Sequence, residues 1–135
     1  MSDLALDTSV AIPLLVRSHV AHNRARAHVG TRRLTLTGHS LAETYSVLTR
    51  LPGDARLAPA DAAVLIEANF ADPVLLDPGV AVTLPSALAT LGIAGGAVYD
   101  ALVGLAATGA GLPLATRDRR AASTYAILGV EVELL

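Results

Sequence analysis

Two aspartates, Asp100 and Asp118, bracket the stretch from Gly96 to Arg120. That stretch reads as an apolar helix, a glycine-rich turn, a short apolar strand and a charged exit. Asp100 falls in the first turn of the helix and Asp118 just past the strand. In an open α/β sheet, ligands gather beyond the carboxyl ends of the strands. A helix from Ala97 to Thr108 is ~18 Å long, and a strand from Leu112 to Thr116 covers ~16 Å. If the helix runs antiparallel to the strand, the matched lengths bring Asp100 beside Asp118. Two carboxylates meeting in a mostly apolar site repel unless a cation or a proton joins them.

Two more acids have the same topological address. Asp7 ends an apolar run and starts a helix, as Asp118 does. Glu43 is placed, like Asp100, in the first turn of a helix. Each has a plain structural reading as well. Asp7 and Asp118 are N-caps, each worth ~1 kcal/mol. Glu43 is a capping-box partner of Ser40 or a solvated side chain. Asp100 is a favourable charge near a helix N-terminus. Its helix is apolar nearly all round, so an unpartnered ion there is costly. Taken together, four acids from four separated segments converge on one edge of a parallel sheet. Hard divalent cations take oxygen ligands, and Mg²⁺ is held by one or two carboxylates plus water and phosphate oxygens. Such an ion lowers the pKa of bound water and stabilises charge on a phosphoryl oxygen, which is the chemistry of phosphodiester hydrolysis. The histidines make no better site. Of His19, His22 and His28, only the first two share a helix face, and exposed helix histidines are the favoured reading. Ser9 has no histidine in a triad order.

The elements that must position these groups alternate along the chain. Strands are expected at Asp3–Asp7, Arg33–Thr37, Pro73–Asp77, Leu112–Thr116 and Val130–Leu135. Helices are expected over Val10–Arg17, Ser18–Val29, Leu41–Leu51, Ala58–Phe70, Val80–Leu91, Ala97–Thr108 and Arg119–Tyr125. Pro13 marks a first turn or a kink, Ser40 caps the third helix, and Pro85 is tolerated only near a helix start. Strand–helix alternation with near-continuous apolar strands specifies an α/β fold with a parallel sheet.

The chain has 135 residues, enough for one domain spanning 1–135. It is 53% apolar but only 3% aromatic, so aliphatic side chains and alanine fill the core. The ten basic residues are all Arg, against twelve acids, for a net charge of −2. The absence of Lys excludes a P-loop. No cysteine is present, which excludes disulfides and thiolate metal sites. No apolar run reaches the ~20 residues of a membrane span, and the N-terminus lacks the basic segment of a signal peptide. A cytoplasmic protein is expected.

Four short segments, Leu6-Asp-Thr-Ser-Val10, Leu41-Ala-Glu-Thr-Tyr45, Tyr99-Asp-Ala-Leu102 and Leu114-Ala-Thr-Arg-Asp-Arg-Arg120, resemble in order the motifs of PIN-domain ribonucleases. The size and the ending Leu128-Gly-Val130 resemble the VapC toxins of type II toxin–antitoxin modules. The resemblance implies a three-layer α/β/α sandwich with a central, mainly parallel sheet, and a Mg²⁺- or Mn²⁺-dependent endoribonuclease. Asp7, Glu43, Asp100 and Asp118 match the family's acidic cluster. Asp7 and Asp100 would hold the metal, with Asp118 as a direct or water-mediated ligand. Glu43 would orient the attacking water or act as general base, and Thr8 and Thr116 match supporting hydroxyl positions. Where family members often carry a further acid after the last aspartate, this chain has Arg119 and Arg120. With Arg117 these are candidates for RNA phosphate contacts. The implied partners are RNA, a cognate VapB-type antitoxin and a second copy of the chain, with the apolar stripe Leu41, Tyr45 and Leu48 as a docking face if exposed. Two other readings of the residues stay open: a metal-dependent phosphatase for small phosphoesters, and a catalytically degenerate PIN-like binding module.

Overall fold

The structure, a computed structural model, describes residues 3–135. Its elements in chain order are β1 (Asp3–Leu6), α1 (Thr8–Leu15), α2 (His22–Val29), β2 (Arg33–Leu36), α3 (Gly38–Leu48), α4 (Pro59–Asn69), α5 (Pro78–Thr90), α6 (Ala97–Gly109), β3 (Leu114–Thr116), α7 (Arg119–Ile127) and β4 (Val132–Leu134), with a 3₁₀ turn at Gly53–Ala55. The strands form one sheet in the order β2-β1-β3-β4, and every pairing is parallel.

Both faces of the sheet are covered, so successive residues of one strand belong to different cores. Leu4 and Leu6 of β1, Leu36 of β2 and Ala115 of β3 pack with α1, α2, α3 and α4. Ala5 and Leu114 face the other way, against Val103 and Ala107 of α6 and Ala121 and Tyr125 of α7. This is the α/β/α sandwich expected from unbroken apolar strands.

Several boundaries differ from those expected of the sequence, each for a local reason. Helix α1 begins at Thr8 rather than Val10, because the Asp7 side chain caps it directly. Helix α2 begins at His22, so His19 lies in a turn rather than on a helix. Thr37, not Ser40, caps α3. The Thr37 hydroxyl accepts from the Ser40 N–H, and the Ser40 hydroxyl accepts from the Thr37 N–H, so Ser40 supplies the box partner expected of Glu43. Glu43 therefore sits in the second turn. The strand expected at Pro73–Asp77 shrinks to one parallel bridge between Thr37 and Val74: Pro73 has no N–H to donate, and Asp77 turns to cap α5. Helix α5 consequently starts at Pro78 and carries Pro85 in its interior. Strand β3 starts only after Pro113, whose carbonyl still accepts from Ala5 N–H at 2.9 Å.

Edge strand β4 is tied to the far end of the fold. Arg32 donates both terminal nitrogens to the Glu133 carboxylate at 2.9 Å, and His28 Nε2 lies 2.7 Å from Glu133 Oε1. Arg32 and His28 pull the Glu133 carboxyl below its usual range.

Tyr125 is fully buried and fits only because residue 104 is glycine. A Cβ at Gly104 would lie 2.9 Å from Val130 Cγ2 and 3.0 Å from Tyr125 Cδ1. Overpacking of that kind costs about 1–3 kcal/mol. Gly104→Ala should therefore lower the unfolding free energy by that amount, read as a lower urea midpoint, despite alanine's better helix propensity; an unchanged or raised midpoint would show that the ring has room to move.

Candidate active site

Parallel register puts the ends of the strands level. Leu6 pairs with Leu36 on one side and Ala115 on the other, so Thr37, Asp7 and Thr116 follow at one height. Each strand end then starts a helix. Asp7 Oδ1 accepts from Ser9 N–H at 3.0 Å, and Asp118 Oδ1 from the Arg120 and Ala121 N–H groups at 2.9 and 3.3 Å. Helix α6 runs back beside the sheet and carries Asp100 in its first turn.

Asp7, Glu43, Asp100 and Asp118 all line one cleft of about 300 Å³. The cleft-facing side of α3 is His39, Glu43 and Val47, spaced four apart, while Ser40, Thr44 and Leu48 on the other side are buried in the core. Thr8 lines the cleft too. Thr116 is buried beneath it, where its hydroxyl accepts from Asp118 N–H at 3.1 Å and lies 3.3 Å from Ser9 Oγ. Arg117 reaches the cleft wall, and its guanidinium donates to the Ser9 carbonyl at 3.2 Å. That carbonyl is free because Pro13, four residues on in α1, has no N–H. Arg119 and Arg120 lie just outside, in a shallow concavity shared with Ser9, Arg117 and Asp118.

Asp7 is the most enclosed of the acids, only 6% exposed. Burial raises its pKa, and hydrogen bonds oppose that rise. Ser9 Oγ donates at 2.5 Å and the Tyr125 hydroxyl at 3.1 Å. The phenol in turn is pushed far above its usual range by burial and by the neighbouring Asp7 and Asp100 charges, so it stays a donor. The pKa of Asp100 is raised by burial first, then by the charges of Asp118, Asp7 and Glu43; only His39 acts in the opposite direction. Among the described residues none of Asp7, Asp100 or Asp118 has an ion-pair partner.

The donors on offer are therefore hard oxygens carrying uncompensated negative charge. Thr8 Oγ1 adds a buried hydroxyl with no hydrogen-bond partner. Among the described residues no three His, Asp or Glu side chains form a ready-made metal cluster. This arrangement fits Mg²⁺, which takes one or two carboxylates and keeps several waters, better than an ion held wholly by protein ligands.

Sequence reasoning missed Tyr125 and His39. Tyr125 reads as one more core residue, and nothing local reveals a hydroxyl aimed at a carboxylate 118 positions away. His39 had a signal in its four-residue spacing to Glu43. The other histidines are not the exposed helix residues expected. His19 lines the cleft, with Nδ1 accepting from Ala21 N–H; His22 Nδ1 lies 2.8 Å from the Pro13 carbonyl; His28 is bound to Glu133. The stripe Leu41, Tyr45 and Leu48 is split. Leu48 is fully buried, while Leu41 and Tyr45 line an apolar groove of about 550 Å³ with Ile66 and Phe70 of the α4 segment.

Two parallel strands followed within two residues by an aspartate, with an acidic cleft over the sheet edge, agree with the comparison to known families. The chain belongs to the PIN domain family, whose model matches residues 4–127. It is 59% identical over 129 residues to ribonuclease VapC27 of Mycobacterium tuberculosis, covering 96% of this chain and 94% of that one. It is 44% identical over 133 residues to ribonuclease VapC40 of the same organism, covering 98% of both chains. Among solved structures, VapBC2 of Rickettsia felis bound to a promoter DNA fragment superposes with a TM-score of 0.68 over 98% of both chains, at 12% identity, which shows the shared fold.

The raised pKa of Asp100 has a consequence for stability. A carboxyl that is harder to ionise when folded stabilises the protein below its unfolded pKa, near 3.8, and that contribution is lost as pH rises through the folded value. At pH 7 in the absence of divalent metal, Asp100→Asn should therefore unfold at a higher urea concentration than wild type. The gain should shrink as pH falls through the folded pKa and vanish below about 3.8. A variant less stable than wild type at pH 7 would contradict the repulsion.

Proposed function

We propose that this chain, acting as a single PIN domain, is a divalent-metal-dependent endoribonuclease and the toxin of a toxin–antitoxin pair. The observation that carries the reading is the convergence of four carboxylates from four separated segments on one cleft, with no ion-pair partner for the three aspartates among the described residues. Its support is the family and the two ribonuclease relatives, which match nearly end to end.

Asp7 and Asp100 would hold the ion, with Asp118 as a direct or water-mediated ligand. Mg²⁺, or Mn²⁺, supplies there a charge that stabilises phosphoryl oxygens and lowers the pKa of a bound water. Glu43, on the opposite wall, orients the attacking water and takes its proton. Tyr125 and Ser9 keep Asp7 ionised and fixed. Thr8 offers its unpartnered hydroxyl to the same polar cluster, and Thr116 holds the Asp118 backbone. Arg117, pinned to the Ser9 carbonyl, and the neighbouring Arg119 and Arg120 present planar guanidinium groups to the RNA backbone. The groove holding Leu41, Tyr45, Ile66 and Phe70 suits an apolar segment of a cognate antitoxin, a reading supported by the toxin–antitoxin assembly among the structural neighbours. A second copy of the chain is the other expected partner.

The test is incubation of purified protein with total RNA, with Mg²⁺ or Mn²⁺ and with EDTA. Discrete fragments should appear only with metal. Asp100→Asn should abolish them, and Glu43→Gln should lower kcat by about 10²–10⁴-fold, the range of a general base. Fragments that persist in EDTA, or a fully active Asp100→Asn, would overturn the reading. Replacing Arg119 and Arg120 together by Ala should raise KM, leave kcat close to wild type, and reduce the steepness with which salt inhibits cleavage. An unchanged KM and salt dependence would remove both arginines from the RNA track.

A further inference from the structure

Among the described residues backbone N–H groups fix Asp7 and Asp118, but none fixes Asp100 or Glu43. The Glu43 side chain is 45% exposed and springs from the second turn of α3, so by itself it samples several rotamers. One turn earlier, at the spacing that puts side chains side by side on a helix, stands His39. Its Nε2 is buried and has no hydrogen-bond partner among the described residues, and Glu43 Oε2 lies 3.6 Å away. The ring itself does not swing freely. It lies flat on Tyr99, with ring centroids 5.3 Å apart and planes inclined by 19°. Tyr99 directly precedes Asp100 in α6, so the stack also links the two helices that form opposite walls of the cleft.

We infer that His39 is a positioning residue: clamped by Tyr99, it donates from Nε2 to Glu43 and aims that carboxylate at the attacking water. The inference rests on the role of Glu43 given above. A buried nitrogen without an acceptor is costly, and here the neighbouring acceptor is that carboxylate, a few tenths of an ångström beyond a hydrogen bond. Such bonds are commonly long in the free enzyme and tighten when substrate binds. A base held by a third group is the general arrangement of activated sites. No proton leaves His39 in this role; it donates a hydrogen bond and keeps its hydrogen.

The experiment has a kinetic arm and a spectroscopic arm. For kinetics, an RNA cut by wild-type protein from total RNA is transcribed alone and used as substrate. His39→Ala should lower kcat by about 10–100-fold, the usual cost of losing an orienting partner, with KM and the unfolding midpoint near wild type. His39→Gln, whose amide nitrogen reaches the same place, should recover most of the loss. Tyr99→Phe should behave as wild type, and Tyr99→Ala should share the kcat defect, which provides a second route should His39→Ala fold poorly. Adding His39→Ala to Glu43→Gln should cost nothing further. Losses that multiply, or a Gln variant no better than Ala, would overturn the inference.

In the spectroscopic arm, ¹⁵N-labelled wild-type protein should give a His39 signal with hydrogen on Nε2, displaced by Glu43→Ala. A His39 signal indifferent to Glu43→Ala overturns the pairing even if RNA is cut. Conversely, the expected signal in a protein that cuts no RNA supports the pairing and overturns only the ribonuclease reading.

Discussion

Holding a carboxylate in place where water scarcely reaches it is the constraint on which the rest of the molecule depends. Asp7 directly follows strand β1, is almost wholly enclosed, and as the proposed metal ligand would have to carry charge. Burial drives it toward the neutral acid, and four donors resist: the Ser9 hydroxyl, the Thr116 hydroxyl, the Tyr125 phenol and the Ser9 amide. The consequences run outward. Ser9 opens α1, so the cap that starts the first helix is also the clamp on the acid. Tyr125 belongs to α7, so that helix must lie flat against α6, and α6 must have no side chain where the ring passes. Gly104 meets that requirement.

The same economy of parts recurs around the cleft. Thr116 Oγ1 accepts from Asp118 N–H and sits against Ser9 Oγ, which in turn accepts from Arg117 N–H at 2.8 Å. A proline in α1 leaves one carbonyl free, and Arg117 uses it. The result is a site in which Asp7 and Asp118 are fixed by neutral donors, while Arg119 and Arg120 stand at the rim. A Lys-free chain suits that division. Guanidinium groups can be pinned to carbonyls and still face a phosphate, and they leave the charge of the three aspartates unpaired within the cleft.

How much of this could be read from the residues follows from the range of each interaction. The addresses of Asp7, Asp100 and Asp118 were legible because parallel topology fixes them: strand ends and the first turns of returning helices share one edge. Glu43 was assigned to the right wall but the wrong turn. Thr37 and Ser40 form the reciprocal cap, and a Thr–Ser pair does not display the acid that the usual signature contains. The strand expected at Pro73–Asp77 failed because its two ends had other work, one as a proline without a donor and one as a helix cap. Tyr125 was invisible as a site residue, since its partner lies at the other end of the sequence. His39 was overlooked because an i,i+4 His–Glu pair gains meaning only when Tyr99 of a different helix comes to lie beneath it.

The span of the Tyr125–Asp7 bond, 118 residues, sets when the cleft can exist. During synthesis the strand beside Asp7 emerges more than a hundred residues before the helix that steadies it. Until that helix is made, the buried acid lacks a donor, and the wall carrying Asp118 has nothing to pack upon. A partly made chain thus holds most of the residues of the cleft without the cleft itself. By this wiring, the proposed cleavage of RNA would begin only once α7 has joined the sheet.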